Sequence, residues 1–148
     1  MSHLKGFPDL PPVWALGVWL LQKALAAWLP LWRFDARLLG FALVVLGLAV
    51  IGWAALWFFR KRTPIEPHHA PRALIVEGPY RLNRNPIYTA LTVILLGTAL
   101  NGGALSAVMV TALFPIVITR RFAIPEERAL RAAFGAEADA YIAGTRRW

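Results

Sequence analysis

Apolar residues in this chain fall into four long runs, with the polar residues gathered between them. Val13–Leu29 is the first run, interrupted by Gln22 and Lys23 and closed by Pro30. Leu38–Phe59 is the second, and it carries no charge over the roughly 20 residues that a hydrocarbon core requires. Ile87–Leu100 is the third, and Leu105–Thr119 the fourth, with Pro115 placed to kink it near its end. Asn101, Gly102 and Gly103 make a tight turn between the last two runs, which predicts an antiparallel helical hairpin. An arm of about 15 residues rises only roughly 22 Å, less than a core of roughly 30 Å. Either the arms extend into flanking polar sequence, or the bilayer thins around them, or they dip below the headgroups. In the first run, a lysine at the centre of a spanning helix costs about 2.5–3.5 kcal/mol. Lys23 therefore faces a bundle interior, snorkels, or marks an interfacial helix; spanning is the favoured reading.

Composition supports the membrane reading. The 148 residues suit one domain, and 58% are hydrophobic against 16% charged. Mean hydropathy is +0.53, and the seven tryptophans suit anchoring at lipid interfaces. The expected fold is all-α: a polytopic membrane bundle of about four spans, with a C-terminal hairpin and a cytoplasmic amphipathic tail helix. Residues 1–59 supply generic spans, and residues 60–148 carry the polar chemistry.

The net charge of +8 would suggest nucleic acid in a soluble protein. Beside hydrophobic spans, Lys and Arg instead set topology and meet anionic headgroups, so no nucleic-acid partner is expected. Arg60, Lys61, Arg62, Arg72, Arg81 and Arg84 lie between the second and third runs, and Arg120, Arg121, Arg128, Arg131, Arg146 and Arg147 lie in the tail. With Lys5, thirteen of the sixteen basic residues fall on one side of a four-span arrangement. That predicts cytoplasmic termini and a cytoplasmic polar face. "MSHLKGFPDLPP" lacks the form of a signal peptide, which suggests a bacterial-type inner-membrane protein. With no cysteine, thiolate metal sites, disulfides and a cysteine nucleophile are excluded. His68 and His69 lack companion ligands at metal spacing, so no metal is expected. Four spans leave lipid-facing surface that a dimer could use.

The polar chemistry sits in two pieces. "GPYRLNRNPIY", Gly78–Tyr88, opens the third run. Asn85 is a preferred N-cap and Pro86 a preferred first helical residue. The same helix start offers free N–H groups and a partial positive charge to an anion. Arg81 and Arg84 add guanidinium forks suited to carboxylate or phosphate. Upstream, "ALIVEG" reads as extended. The second piece is "IPEERALRAAFGAEADAYIAGTRRW". Pro125 is expected at a first helical position, with Glu126 and Glu127 facing the positive end of the helix. Leu130, Phe134 and Tyr141 follow Glu127 on one apolar stripe. A buried acid is costly unless paired, which makes Glu127 the sharper candidate of the two. Together the pieces frame a pocket for a small molecule bearing both an ammonium and a carboxylate.

In this order, and flanking a hydrophobic hairpin, the motifs resemble the isoprenylcysteine carboxyl methyltransferase and phospholipid methyltransferase family. That pattern reads G-P-Y-R, R-[HN]-P-x-Y, a hairpin, E-E-x-x-L, F-G, and an aromatic end near basic residues. Here it is met by Gly78-Pro79-Tyr80-Arg81, Arg84-Asn85-Pro86-Ile87-Tyr88, Glu126-Glu127-Arg128-Ala129-Leu130, Phe134-Gly135, Tyr141 and Trp148. Thr63–Pro67, "TPIEP", is similar to the family's upstream T-x-x-x-P element. The resemblance covers roughly residues 60 to 148 and rests on the joint spacing.

The resemblance implies an integral-membrane enzyme that moves a methyl group from S-adenosylmethionine to a lipophilic, membrane-partitioned carboxylate, thiol or amine entering sideways from the bilayer. It implies that the donor's carboxylate meets the third helix's start, around Asn85, and Arg81 or Arg84. The ammonium then meets Glu126 or Glu127, and the adenosine lies on the backbone of Leu74, Val76, Gly78 and Tyr80, walled by Tyr88 and Tyr141. Glu127, Arg84 and Tyr88 are the residues it assigns to the reaction. Many members carry His where this chain has Asn85, which keeps hydrogen bonding but does not titrate. A donor-holding role suits Asn85 and a general-base role does not. Two other readings compete: a nicotinamide-dependent reductase related to membrane sterol reductases, and a non-catalytic scaffold binding anionic lipid.

Overall fold

The computed structural model describes residues 9–63 and 71–148. Lys5, His68, His69 and most of the TPIEP element lie outside them. The described residues form helices and contain no strand; two isolated bridges pair Arg33 with Ala104 and Asn83 with Arg146. The helices are α1 (Pro11–Trp28), α2 (Arg37–Lys61), α3 (Pro86–Gly102), α4 (Leu105–Thr111), α5 (Leu113–Ile118), α6 (Ile124–Phe134) and α7 (Ala136–Gly144).

Small residues spaced seven apart determine the largest helix contact. Gly40, Gly47 and Ala54 form the buried line of α2, and α3 presents Ala90 and Gly97 to it. A Cβ on Gly97 would stand 2.6 Å from the Gly40 carbonyl oxygen, and one on Gly47 would stand 2.8 Å from that of Ala90. The two backbones therefore touch. In lipid, where tails are as apolar as leucine, such close packing drives helix association. The rest of α2 turns Leu38, Phe41, Val45, Leu48, Trp53 and Phe59 outward.

Gln22 docks α1 on this pair. It is 2% exposed, and its Nε2 donates to the Leu95 carbonyl at 2.9 Å and to Thr111 Oγ1 at 2.8 Å. Thr98 donates to its Oε1 at 2.9 Å. Lys23, one residue on, is exposed, with its ammonium 5.5 Å from the Trp19 ring centroid. Of the three placements open to Lys23, the bundle interior is thus ruled out, because Gln22 takes it.

Of the three alternatives open to the short hairpin arms, the second arm takes the first and extends into flanking polar sequence. α3 has 17 residues. The second arm runs as one 30-residue helical path, Leu105–Phe134, about 45 Å long. Proline shapes it twice. Pro115 has no N–H for the Thr111 carbonyl, and the path breaks at Ala112, whose N–H reaches back three residues to Met109. Pro125 cannot serve the Arg121 carbonyl, and residues Thr119–Ala123 widen into a π-turn in which the Ile124 N–H reaches Thr119. Pro125 is consequently the second residue of α6, with Glu126 and Glu127 in the first turn as expected, and α6 follows directly on the π-turn. Gly135, at φ +53°, ends α6. Tyr141 therefore lies on α7 and does not continue the Glu127 stripe.

Among the described residues, two helices are long and apolar enough to cross a membrane, α2 and the Leu105–Phe134 path; α3 is apolar but shorter. Phe114, Ile118 and Phe122 pack with Leu95 and Tyr88 of α3 and Ala15 of α1, a column that ends at the polar face. At the other end Gly103, at φ +60°, closes the hairpin, and the Phe34 N–H donates to its carbonyl at 3.1 Å.

Gly97→Leu should destabilise the protein by about 1–3 kcal/mol or more through overpacking, read from unfolding in detergent. Gly52→Leu is the control, since nothing lies within 4 Å of a Cβ there. Equal effects of the two would refute backbone contact between α2 and α3.

Candidate active site

The site is assembled where α2, α3, α6 and α7 end on one face. Gly78 adopts φ +57°, and a Cβ there would collide with the Trp57 indole. Only glycine fits both demands. The Gly78–Arg81 turn consequently packs on the last turns of α2, with Pro79 and Tyr80 buried and Tyr80 edge-on to Phe58 at 5.8 Å. Ile75 packs beside Ala54 and Tyr80, and Lys61 bonds Glu77 at 2.5 Å, so the segment before the turn is tied to α2. The Lys61 hydrogen bond holds the Glu77 carboxyl below its ordinary range.

Asn85 occupies the N-cap of α3 as expected, but its side chain does not cap. Its Nδ2 instead donates to the Arg147 carbonyl at 3.0 Å, while its N–H donates to Asn83 Oδ1 at 3.0 Å. Arg84 turns inward. Its Nη2 and Nε donate to Glu127 Oε1 at 3.0 and 3.3 Å, and its Nη1 donates to the carbonyls of Ile142, at 2.7 Å, and Thr145. Arg147 approaches the same carboxylate from the other side, with Nε on Oε1 at 2.7 Å and Nη2 on Oε2 at 2.9 Å. Glu127 is 5% exposed. Two cations thus offset the desolvation of one buried acid, and hydrogen bonds satisfy both oxygens. The same contact holds the Arg147 guanidinium above its ordinary range.

Glu126, one residue earlier and half-buried, accepts a hydrogen bond from Tyr88 of α3. Tyr141 donates to the Tyr80 carbonyl at 2.8 Å. Burial raises the Tyr80 phenol well above its usual range, and the charges of Tyr141 and Glu126 add to this; burial pushes Tyr141 up to about 12. Three phenols and the Glu126 carboxyl therefore share a corner.

Of the residues expected at a site, the fold brings together Tyr80, Arg84, Asn85, Tyr88, Glu126, Glu127 and Tyr141. Gly78 shapes the turn beneath them. Arg81 is exposed on that turn, Leu74 is half-buried and Val76 exposed on the irregular segment before it. In the sequence Arg147 counts only among the residues that set topology. The signal that could have found it is Glu127 itself, since a buried acid with one partner invites a second cation. Outside the π-turn, Pro115, Ile116, Thr119, Arg120 and Trp148 line an open groove of about 310 Å³. Trp148 donates to Thr119 Oγ1 at 3.0 Å and packs on the cluster that contains Tyr88.

Set beside known proteins, this arrangement falls into a defined class. A family model for phospholipid methyltransferase matches residues 36–137, well over half of the chain. The chain belongs to the phospholipid methyltransferase family. The family is one of methyltransferases, and the two long apolar helices agree with membrane association. No curated protein and no solved structure gives a significant match.

Arg84→Ala should cost about 3–5 kcal/mol in detergent unfolding, because it leaves a buried acid short of a partner. Arg131→Ala removes an exposed pair with Asp139 and should cost less than about 1 kcal/mol. Comparable losses for both would disprove the buried role of Arg84.

Proposed function

We propose that the chain is an S-adenosylmethionine-dependent methyltransferase for a lipophilic acceptor held in the bilayer. The observation that carries this reading is the division of labour between adjacent acids. Glu127 is consumed by Arg84 and Arg147, whereas Glu126 accepts from the phenol of Tyr88 beside the start of α3. A carboxylate backed by a phenol suits an ammonium, and the exposed Arg81 with the first N–H groups of α3 suits a carboxylate. The donor set thus fits a zwitterion, and the irregular Leu74–Val76 segment, leading into the Gly78–Arg81 turn, provides backbone for the adenosine. Because Arg84 is spent on Glu127 and two carbonyls, Arg81 is the cation for the ligand.

Bound there, S-adenosylmethionine supplies an activated methyl group on a sulfonium. The chain's own contribution is position and dryness. Tyr80, Tyr88 and Tyr141 are buried or half-buried and keep water from the corner, and Glu126 and Arg81 orient the two ends of the ligand. Orientation of this kind can contribute about 7–11 kcal/mol. The apolar groove beside Trp148 suits an acceptor arriving from lipid as a carboxylate, thiol or amine.

Four spans, α1 to α3 and the α4–α5 segment, accommodate this reading in a bacterial-type inner membrane, with both termini and the site cytoplasmic. The basic residues around Arg60–Arg84 and in the tail support that orientation. No observation favours the nicotinamide-dependent reductase or the anionic-lipid scaffold.

Labelled S-adenosylmethionine incubated with the protein and a total lipid extract should give labelled lipid, and nicotinamide dinucleotide should not bind. Glu126→Gln should weaken donor binding by about tenfold or more, and Tyr88→Ala should abolish transfer. Transfer at wild-type rates by both variants would overturn the site assignment. In this cysteine-free chain, single cysteines at Arg62 and Arg33 should label from opposite sides of intact membranes; labelling from the same side would refute the orientation.

A further inference from the structure

We propose that Arg147 is a positioning residue. The last residues, Thr145 to Trp148, form a strap, and Arg147 on that strap fixes the α6 carboxylates against the mouth of α3, thereby setting donor affinity. The proposal rests on the methyltransferase reading above.

The strap touches the mouth of α3, the π-turn and the first turn of α6. Arg146 pairs with Asn83 in a parallel bridge, and its carbonyl accepts from the Arg84 N–H at 2.8 Å. The Arg147 carbonyl accepts from Asn85, and the Thr145 carbonyl accepts from Arg84. Trp148 reaches the π-turn through Thr119. The side chain of Arg147 adds what Arg84 cannot. Arg84 donates to one oxygen of Glu127 only, which leaves the carboxylate free to rotate about that contact. Arg147 spans both oxygens and fixes the plane.

That restraint matters because of where α6 begins. Its first turn follows a π-turn, where the regular hydrogen-bond ladder is interrupted and the helix can turn about its axis. Glu126 and Glu127 are neighbours on that turn, so a rotation that released Glu127 would carry Glu126 away from Tyr88. The ion triad holds one acid so that the other is presented.

The test uses full-length protein in detergent with S-adenosylmethionine as the probe. Calorimetry should show Arg147→Ala weakening donor binding about a hundredfold, the scale of losing hydrogen bonds to a charged group. The Arg147 side chain is 36% exposed, so added ethylguanidinium can reach the gap and should restore at least about tenfold. Arg147→Lys should fall between, since lysine keeps the charge and lacks the fork. Asn83→Cys with Arg146→Cys should form a disulfide, confirming that the strap lies along the α3 mouth. Folded Arg147→Ala protein with wild-type affinity, or a loss that ethylguanidinium does not restore, overturns the positioning role. If Arg147→Ala fails to fold, wild-type affinity in Arg147→Lys overturns it instead. Wild-type protein that binds no S-adenosylmethionine overturns the parent reading and this one with it; wild-type binding with an indifferent variant overturns this one alone.

Discussion

A single buried carboxylate organises the polar face of this protein. Glu127 lies at the end of a helical path that rises through the apolar part of the chain, and burying its charge alone would be prohibitively costly. Arg84 at the start of α3 and Arg147 near the chain's end meet that demand together. Three stretches far apart in sequence must converge for any of them to be stable there. The convergence also brings Tyr88 to Glu126 and Tyr141 to the backbone of Tyr80.

The apolar half obeys a different constraint. Lipid offers no hydrophobic drive between helices, so α2 and α3 associate through backbone contact made possible by Gly40, Gly47 and Gly97. Gln22 adds a polar anchor whose hydrogen bonds tie α1 to α3 and α4. Both devices act below the site. They set the relative height of the α2 and α3 ends, and so the place where the Gly78 turn can rest on Trp57.

Proline links the two halves. Pro115 and Pro125 each withhold a hydrogen bond, and the helical path answers with a break and then a π-turn. An unbroken helix would carry Glu126 and Glu127 about the axis by a different angle. The wide turn gives α6 its orientation toward α3, and Phe122, fully buried within it, packs against Tyr88. The irregularity lies next to the chemistry, as π-turns often do.

Much of this was legible in the chain. Apolar runs longer than a few turns must form helices in lipid, and Gly-Pro, Asn-Pro and Pro-Glu-Glu mark turns and helix starts through local sterics alone. Glu127 as an acid needing a partner followed from its place on an apolar stripe. Even the seven-residue spacing of Gly40, Gly47 and Ala54 stands in the sequence, although a spacing does not name the helix it packs against. What only the tertiary structure decided were the pairings between distant residues. Gln22 turns inward and Lys23 outward because Leu95 and Thr111 await an amide. Asn85 gives up its cap to hold Arg147, and Arg84 gives its whole guanidinium to Glu127 and two carbonyls. The physical reason is the same in each case. Local sequence fixes which groups a helix end offers, whereas a buried charge or amide is satisfied by whichever partner the packed chain brings within three ångströms.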